Sequence, residues 1–319
     1  MTRRNILTNP ADRDRFLQAC VALDEAGSGL MASDAYRMIR GINPQIRMEG
    51  IDQELSYYDL VVLWHWTAMG LDLSVGNAAH SGPIFLPWHR MYMLLVEQWM
   101  RIMLDDSDFG LPYWDWAADG ELPQSLQWRT QLWTSEFLGE SRARVVSGTL
   151  ARMRVRLDGI NRTQLRSIQP RPLERNAGAD REPSFRTLPT QGDITGAMAE
   201  PFYDRSPWGA GSTDGHRNRL EGWVEGPRLH NRVHVWIGGD MGPGTSPNDP
   251  VFFLNHCNVD RVWEAWMVER GRVYEPGPGV GPAGHRLNDE MFALLGSTMT
   301  PADVLDVSGE YDYDTLQVD

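Results

Sequence analysis

The sequence predicts a mainly α-helical protein: a four-helix bundle core housing a metal pair, with long loops and few short strands. Three observations carry that prediction. Apolar and aromatic residues recur at helical spacing over 11–26, 54–69, 88–105, 228–237 and 256–270. Histidine is rare, 8 residues in 319, yet five of the eight lie within the last four of those segments and a sixth, His80, in the short connection between 54–69 and 88–105. Gly- and Pro-containing connections punctuate the rest, as long loops require.

Taken in order, 11–26 reads as an amphipathic helix and 54–69, LSYYDLVVLWHWTAM at its heart, as a buried one. The 88–105 helix offers Trp88, Met91, Leu95 and Met103 for packing. YWDWAADG follows as a buried turn whose Asp115 is expected to anchor backbone or an arginine. From about 140 to 215 the chain turns rich in Arg, Pro and Gly, which predicts a loop-rich surface excursion with one helix over 145–157. The turn Ser246–Pro250 leads through an apolar stretch into the 256–270 helix, and from Gly271 a Gly/Pro-rich tail to 319 is expected to wrap the core. The whole chain, 1–319, reads as one domain.

The histidines form two triplets. His230 and His234 stand four residues apart, so on a helix they project from one face and can grip one ion, with His256 as the third ligand. Asp260, one turn beyond His256, is placed to accept a proton from a ligand imidazole or to fix an arginine. His65, His80 and His89 span helix, loop and helix. Imidazole serves copper, zinc and iron alike, and two clusters of three suit a pair of metals. His216 and His285 fall outside both triplets and read as packed residues.

The stretches HSGPIFLPWHR and LHNRVHVWIGGDM…SPNDPVFFLNHC resemble the two copper-binding signatures of the tyrosinase family, the coupled dinuclear copper proteins, and its bacterial members in particular. The likeness is strong over about 50–120 and 215–270. It implies that His65, His80 and His89 hold one copper and His230, His234 and His256 the other, with O₂ as co-substrate. It also implies an oxidoreductase that hydroxylates monophenols at the ortho position and oxidises o-diphenols to o-quinones, in melanin or secondary-metabolite formation. Catechol oxidase, o-aminophenol oxidase and a haemocyanin-like O₂ carrier are the alternatives the same resemblance allows. In bacterial members a Glu shortly before the first ligand of the second triplet, with an Asn directly after it, holds and activates a water; Glu221, in LEGW, and Asn231 match, with Glu225 as a competing carboxylate. Phe85, four residues before His89, is expected to approach the metal pair, and Val235 and Ser246 match small positions near the entrance. The chemistry of the ligands independently favours copper, because dinuclear zinc and di-iron sites normally include carboxylates and neither triplet has one.

Composition bounds the partners. A formal charge of −13 and a pI near 5.1 argue against nucleic acid, and no segment reads as a membrane span. All 30 basic residues are arginine. Cys20 and Cys257 are too few for a disulfide framework, and polar NPADRDR follows Arg3–Arg4 where an export signal needs an apolar run. The sequence-based expectation is a cytoplasmic protein without a signal peptide. The resemblance adds a companion protein for copper delivery and export, and a small phenolic or o-aminophenolic substrate.

Overall fold

The computed structural model describes residues 1–223 and 229–318. Helices dominate: α1 (Pro10–Glu25), α2 (Ala32–Ile42), α3 (Tyr57–Met69), α4 (Phe85–Leu104), the short α5 (Trp116–Gly120) and α6 (Gln124–Gln127), α7 (Gln191–Met198), α8 (His216–Glu221), α9 (Leu229–Ile237) and α10 (Val251–Arg270). The strands β1 (Thr2–Arg3), β2 (Gly27–Met31), β3 (Arg47–Gly50), β4 (Glu54–Ser56), β5 (Val155–Gly159), β6 (Gln164–Arg171) and β7 (Asp312–Tyr313) form three small sheets, β1–β7, β2–β4 and β3–β6–β5. The mainly α prediction with few short strands holds.

Local chemistry sets the helix starts. Asn9 accepts hydrogen bonds from the Ala11 and Asp12 amides ahead of α1, and Pro10 supplies a preset first turn. At α3 a reciprocal capping box forms: Ser56 Oγ accepts from the Asp59 amide at 3.0 Å, and Asp59 accepts from the Ser56 amide at 2.8 Å. α10 begins at Val251, earlier than the 256 start expected from sequence. Periodicity alone cannot tell an apolar run such as VFF from a strand, whereas Asp249 Oδ1 accepting from the Val251 amide at 3.1 Å caps the helix there.

α3 and α10 are buried on nearly every face, which explains why neither shows a polar stripe. Trp64, Trp66, Trp88, Trp114, Trp116, Trp236, Trp263 and Trp266 are all under 2% exposed and fill the space between the core helices. Trp64 meets Trp88 edge to face at 6.3 Å, and Trp88 stacks on Tyr92 at 5.1 Å.

The 140–215 segment departs from expectation. No helix covers 145–157; a 3₁₀ turn at Thr149–Arg152 leads instead into β5, which pairs antiparallel with β6. Its β-branched Val155 and alternating burial fit a strand. Nor does the segment run only over the surface, because Arg175 is fully buried and holds Asp249 through two bonds of 2.6 and 2.8 Å. The expected turn after α4 is α5, where Asp115 pairs with Arg261 at 3.3 Å. In the tail, β7 pairs in parallel with β1.

A buried ion cluster ties the termini to the core. Asp260 accepts from Arg90 Nε at 2.6 Å, Arg3 Nη1 at 3.3 Å, Tyr311 at 2.5 Å and Tyr313 at 2.7 Å, and Arg3 also pairs with Glu97 at 3.0 Å. The two guanidinium groups outweigh the burial of the carboxylate, so the Asp260 pKa falls below the usual range. Of the two roles expected for Asp260, it takes the second and fixes arginines. Asp260→Asn should cost up to about 3–5 kcal/mol of unfolding free energy in a denaturant titration, because it takes a shared carboxylate from two buried cations and leaves Arg3 only Glu97 and Arg90 only Glu264. A loss under about 1 kcal/mol would show that the cluster positions the chain without holding it together.

Candidate metal centre

α3 carries His65, α4 His89, α9 both His230 and His234, and α10 His256; His80 comes from the loop between α3 and α4. The fold brings these six together. In each triplet one ring nitrogen per residue lies within 4.8 Å of the other two. The triplets adjoin: the His89 and His256 rings stack at 4.2 Å and 10°, and His80 lies 5.9 Å from His230 between ring centroids.

The rings are turned by what their outer nitrogens touch. His65 Nδ1 faces the Gly244 carbonyl at 2.8 Å, His89 Nδ1 that of Phe85 at 2.8 Å, and His234 Nδ1 that of Met241 at 2.9 Å. A carbonyl only accepts, so each of these nitrogens carries its proton and donates, leaving Nε2 as a bare lone pair. Among the described residues those three Nε2 atoms are buried without a partner. His230 Nδ1 faces Asn231 Oδ1 at 3.0 Å, and its Nε2 lies 3.1 Å from His256 Nε2. Burial drives all six basicities down, His65 to about 3 and His234 to about 4. Neutral imidazoles with converging, unsatisfied lone pairs and no carboxylate among them fit two copper ions.

Two phenylalanines wedge between the rings. Phe85 sits 4.8 Å from both His89 and His230 and 5.6 Å from His80. Phe252, which the sequence reading passed over, sits 4.1 Å from His256 and 4.9 Å from His65. The signal was available: each phenylalanine lies four residues before the last histidine of its triplet.

A cavity of about 390 Å³ reaches His65, His80, His230 and His234. Asn231, Val235 and Ser246 line its wall, and the partly exposed Trp223 stands at its mouth. Glu221 does not line it. Its carboxylate is buried behind the wall, accepting from the Ser81 amide at 2.6 Å and from Arg217 Nη1 at 2.9 Å. Burial raises its proton affinity, while Arg217, Ser81 and Trp223 pull it back. Ser81, next to His80, has a left-handed φ of 63°, a conformation the Glu221 contact helps hold. Glu225 lies outside the described residues.

His216 and His285 are buried away from the triplets. His216 Nδ1 faces the Ala197 carbonyl at 3.0 Å and its ring stacks on Trp266. His285 clamps both ends of the His80 loop: its Nδ1 accepts from the Ile84 amide at 3.3 Å, and its Nε2 donates to the Val75 carbonyl at 2.6 Å.

A family model described as the common central domain of tyrosinase matches residues 54–269. A tyrosinase of Streptomyces lincolnensis is 40% identical over 270 residues, covering 81% of this chain and 89% of that protein. A grixazone synthase of Streptomyces griseus is 35% identical over 270 residues, covering 76% and 84%. Among solved structures, a polyphenol oxidase from Thermothelomyces thermophila superposes with a TM-score of 0.70 at 22% identity, covering 99% of this chain and 89% of that one.

Two measurements test the centre. Metal analysis of copper-loaded protein should find two coppers per chain, and His234→Ala should reduce this to one, since two imidazoles hold copper far less well than three; two coppers retained in the variant would refute His234 as a ligand. The second test is of His285, whose ring burial lowers to about 4, against about 6.5 in the unfolded chain. Between those values the unfolded chain binds more protons, so stability is full above 6.5 and is lost as pH falls toward 4. His285→Gln should therefore flatten the fall of Tm across that window, and an unchanged slope would show that His285 does not titrate as placed.

Proposed function

This chain belongs to the tyrosinase family, and from that premise we propose that it oxidises phenols with O₂ at two copper ions, hydroxylating monophenols at the ortho position and converting o-diphenols to o-quinones. The coppers, when bound by the two triplets, supply the electrons for reducing O₂ and a seat for the phenol oxygen. The observation that carries this reading is the cavity that leads from solvent to both triplets. A carrier of O₂ needs that route closed to phenols, whereas here Val235 and Ser246 leave the wall low.

The protein's part is to orient and to move a proton. Carbonyls of Gly244, Phe85 and Met241 fix three rings, and Asn231 fixes His230. A monophenol has a pKa of about 10 and must shed its proton to bind as phenolate. We assign that step to Asn231 and Glu221 acting through a water between them: Asn231 stands at the wall, and burial makes the Glu221 carboxylate the more basic. Copper must reach buried ligands, and a companion protein docking at the cavity mouth is the proposed means of delivery.

The decisive experiment is the rate on a matched monophenol, o-diphenol and o-aminophenol with copper-loaded protein. Turnover of the first two is expected, and a marked preference for the o-aminophenol would replace this reading with o-aminophenol oxidation. Asn231→Leu and Glu221→Gln should lower monophenol turnover, by about 10²-fold or more, further than they lower diphenol turnover, because the diphenol's second hydroxyl eases proton loss. Equal losses on both substrates at unchanged copper content would leave Glu221 only its structural role at Ser81.

A further inference from the structure

Away from the metal pair, two cations share one aromatic ring. The guanidinium carbons of Arg129 and Arg142 each lie 4.0 Å from the centroid of Trp128, so the two charges are at most twice that distance apart. That is about one screening length at physiological salt, and they repel one another. The ring attracts each of them, yet among the described residues neither has a carboxylate partner. Burial, and after it the Arg129 charge, hold the Arg142 pKa below the ordinary arginine value. Between 129 and 186 arginines outnumber carboxylates two to one, in a chain whose formal charge is −13. This part of the protein favours an anion that the whole repels.

Beside Arg142 lies a polar notch. Gly178 has a left-handed φ of 63°, and a Cβ built on it would stand 3.2 Å from Arg142 Nη2, from Trp236 Nε1 and from the Arg186 carbonyl oxygen. Only glycine leaves this space open without strain. Trp236 is fully buried, and among the described residues its Nε1 has no acceptor. A buried donor costs stability until something accepts its proton. Arg142 Nε donates to the Ala177 carbonyl at 2.5 Å, which leaves the Nη atoms for the notch. The floor and the rim are fixed as well. The Gly178 amide donates to the Trp236 carbonyl at 2.7 Å, and the Arg186 guanidinium folds back onto the Asp180 and Arg181 carbonyls at 2.8 and 2.7 Å.

We infer that this notch binds inorganic phosphate. Arg142 Nη2 and Trp236 Nε1 donate to its oxygens, Arg129 supplies a second positive charge, and the Arg186 carbonyl accepts the ion's own O–H. The carbonyl selects among anions, because a carbonyl can only accept. Phosphate near neutral pH keeps a hydroxyl to donate, whereas sulfate has the same shape and no proton to give. Trp236 stands on α9 two residues after His234, so the bound ion ties the Trp128 and Gly178 loops to the helix that carries two ligands. The site is independent of the phenol chemistry proposed above.

The test is calorimetric titration of the copper-loaded full chain with sodium phosphate, against sodium chloride of equal ionic strength. One phosphate per chain should bind, about fivefold tighter than sulfate, the worth of one hydrogen bond. Arg129→Gln should weaken it about three- to tenfold, the range for an exposed charged contact. Arg142→Gln should cost about tenfold or more, because a charge and a donor go together, and Arg142→Lys should recover part of that loss. Both arginines are exposed, so the variants should keep the wild-type Tm in chloride. Phosphate should raise the Tm of the wild type above its value in chloride and leave that of the double Arg129→Gln, Arg142→Gln variant unmoved. No saturable binding at millimolar phosphate, or sulfate bound as tightly as phosphate, would overturn the inference. Equal phosphate affinity in the wild type and the double variant would place the ion elsewhere, at the metal pair among other sites, and would overturn it too.

Discussion

Everything in this structure answers to the cost of placing six imidazoles in one dry space. Each must be neutral to serve as a ligand, and burial ensures that by penalising the charged form. Each must also be turned correctly, and burial alone does not do that. For four of the six, orientation comes from an acceptor facing Nδ1, three of them backbone carbonyls and the fourth Asn231, whereas Nδ1 of His80 and His256 has no partner among the described residues. The segment between α9 and α10 gives one carbonyl to each triplet, Gly244 to His65 and Met241 to His234. The two halves of the centre therefore share a support and cannot shift independently.

That shared segment has little apolar surface to pack, so polar contacts hold it. Asp240 is gripped by Arg171 and Asp249 by the buried Arg175; Asn248 donates to the Leu157 carbonyl at 2.8 Å, and Thr245 accepts from the Gly159 amide at 3.2 Å. All four outside partners lie between 140 and 215. Buried ion pairs often add little net stability compared with apolar packing, but they fix geometry. The long insertion is the clamp behind the metal loop, and its hairpin tip reaches the cavity with Arg162.

The division between what was and was not legible follows from distance along the chain. Helices α1, α3, α4, α9 and α10 were readable because their periodicity and caps are local, and the six histidines stood out because the residue is scarce. Partnerships across long separations left no local mark. Arg3, which the sequence marks only as half of an arginine pair with no apolar run behind it, proves to be a buried partner of Glu97 and Asp260, and Arg175 fell in a segment expected to run over the surface. A carbonyl acceptor such as Gly244 carries no side-chain signal at all. Phe252 is the exception, since its spacing to His256 repeats that of Phe85 to His89 and could have been read.

The two triplets differ in how their weakest member is secured. His230, His234 and His256 all sit on helices, whose own hydrogen bonds fix the backbone. His80 sits on a loop and depends on contacts from far away: Asn77 caps its amide, His285 clamps Val75 and Ile84, and Glu221 holds Ser81. Glu221 and His285 come from the second half of the chain, so the first triplet is completed only once the second half has docked. The residue assigned to proton transfer thereby also fixes a ligand loop. Burial that raises the proton affinity of Glu221 is the consequence of seating it against Ser81 and Arg217, so its basicity and its structural task have one physical origin.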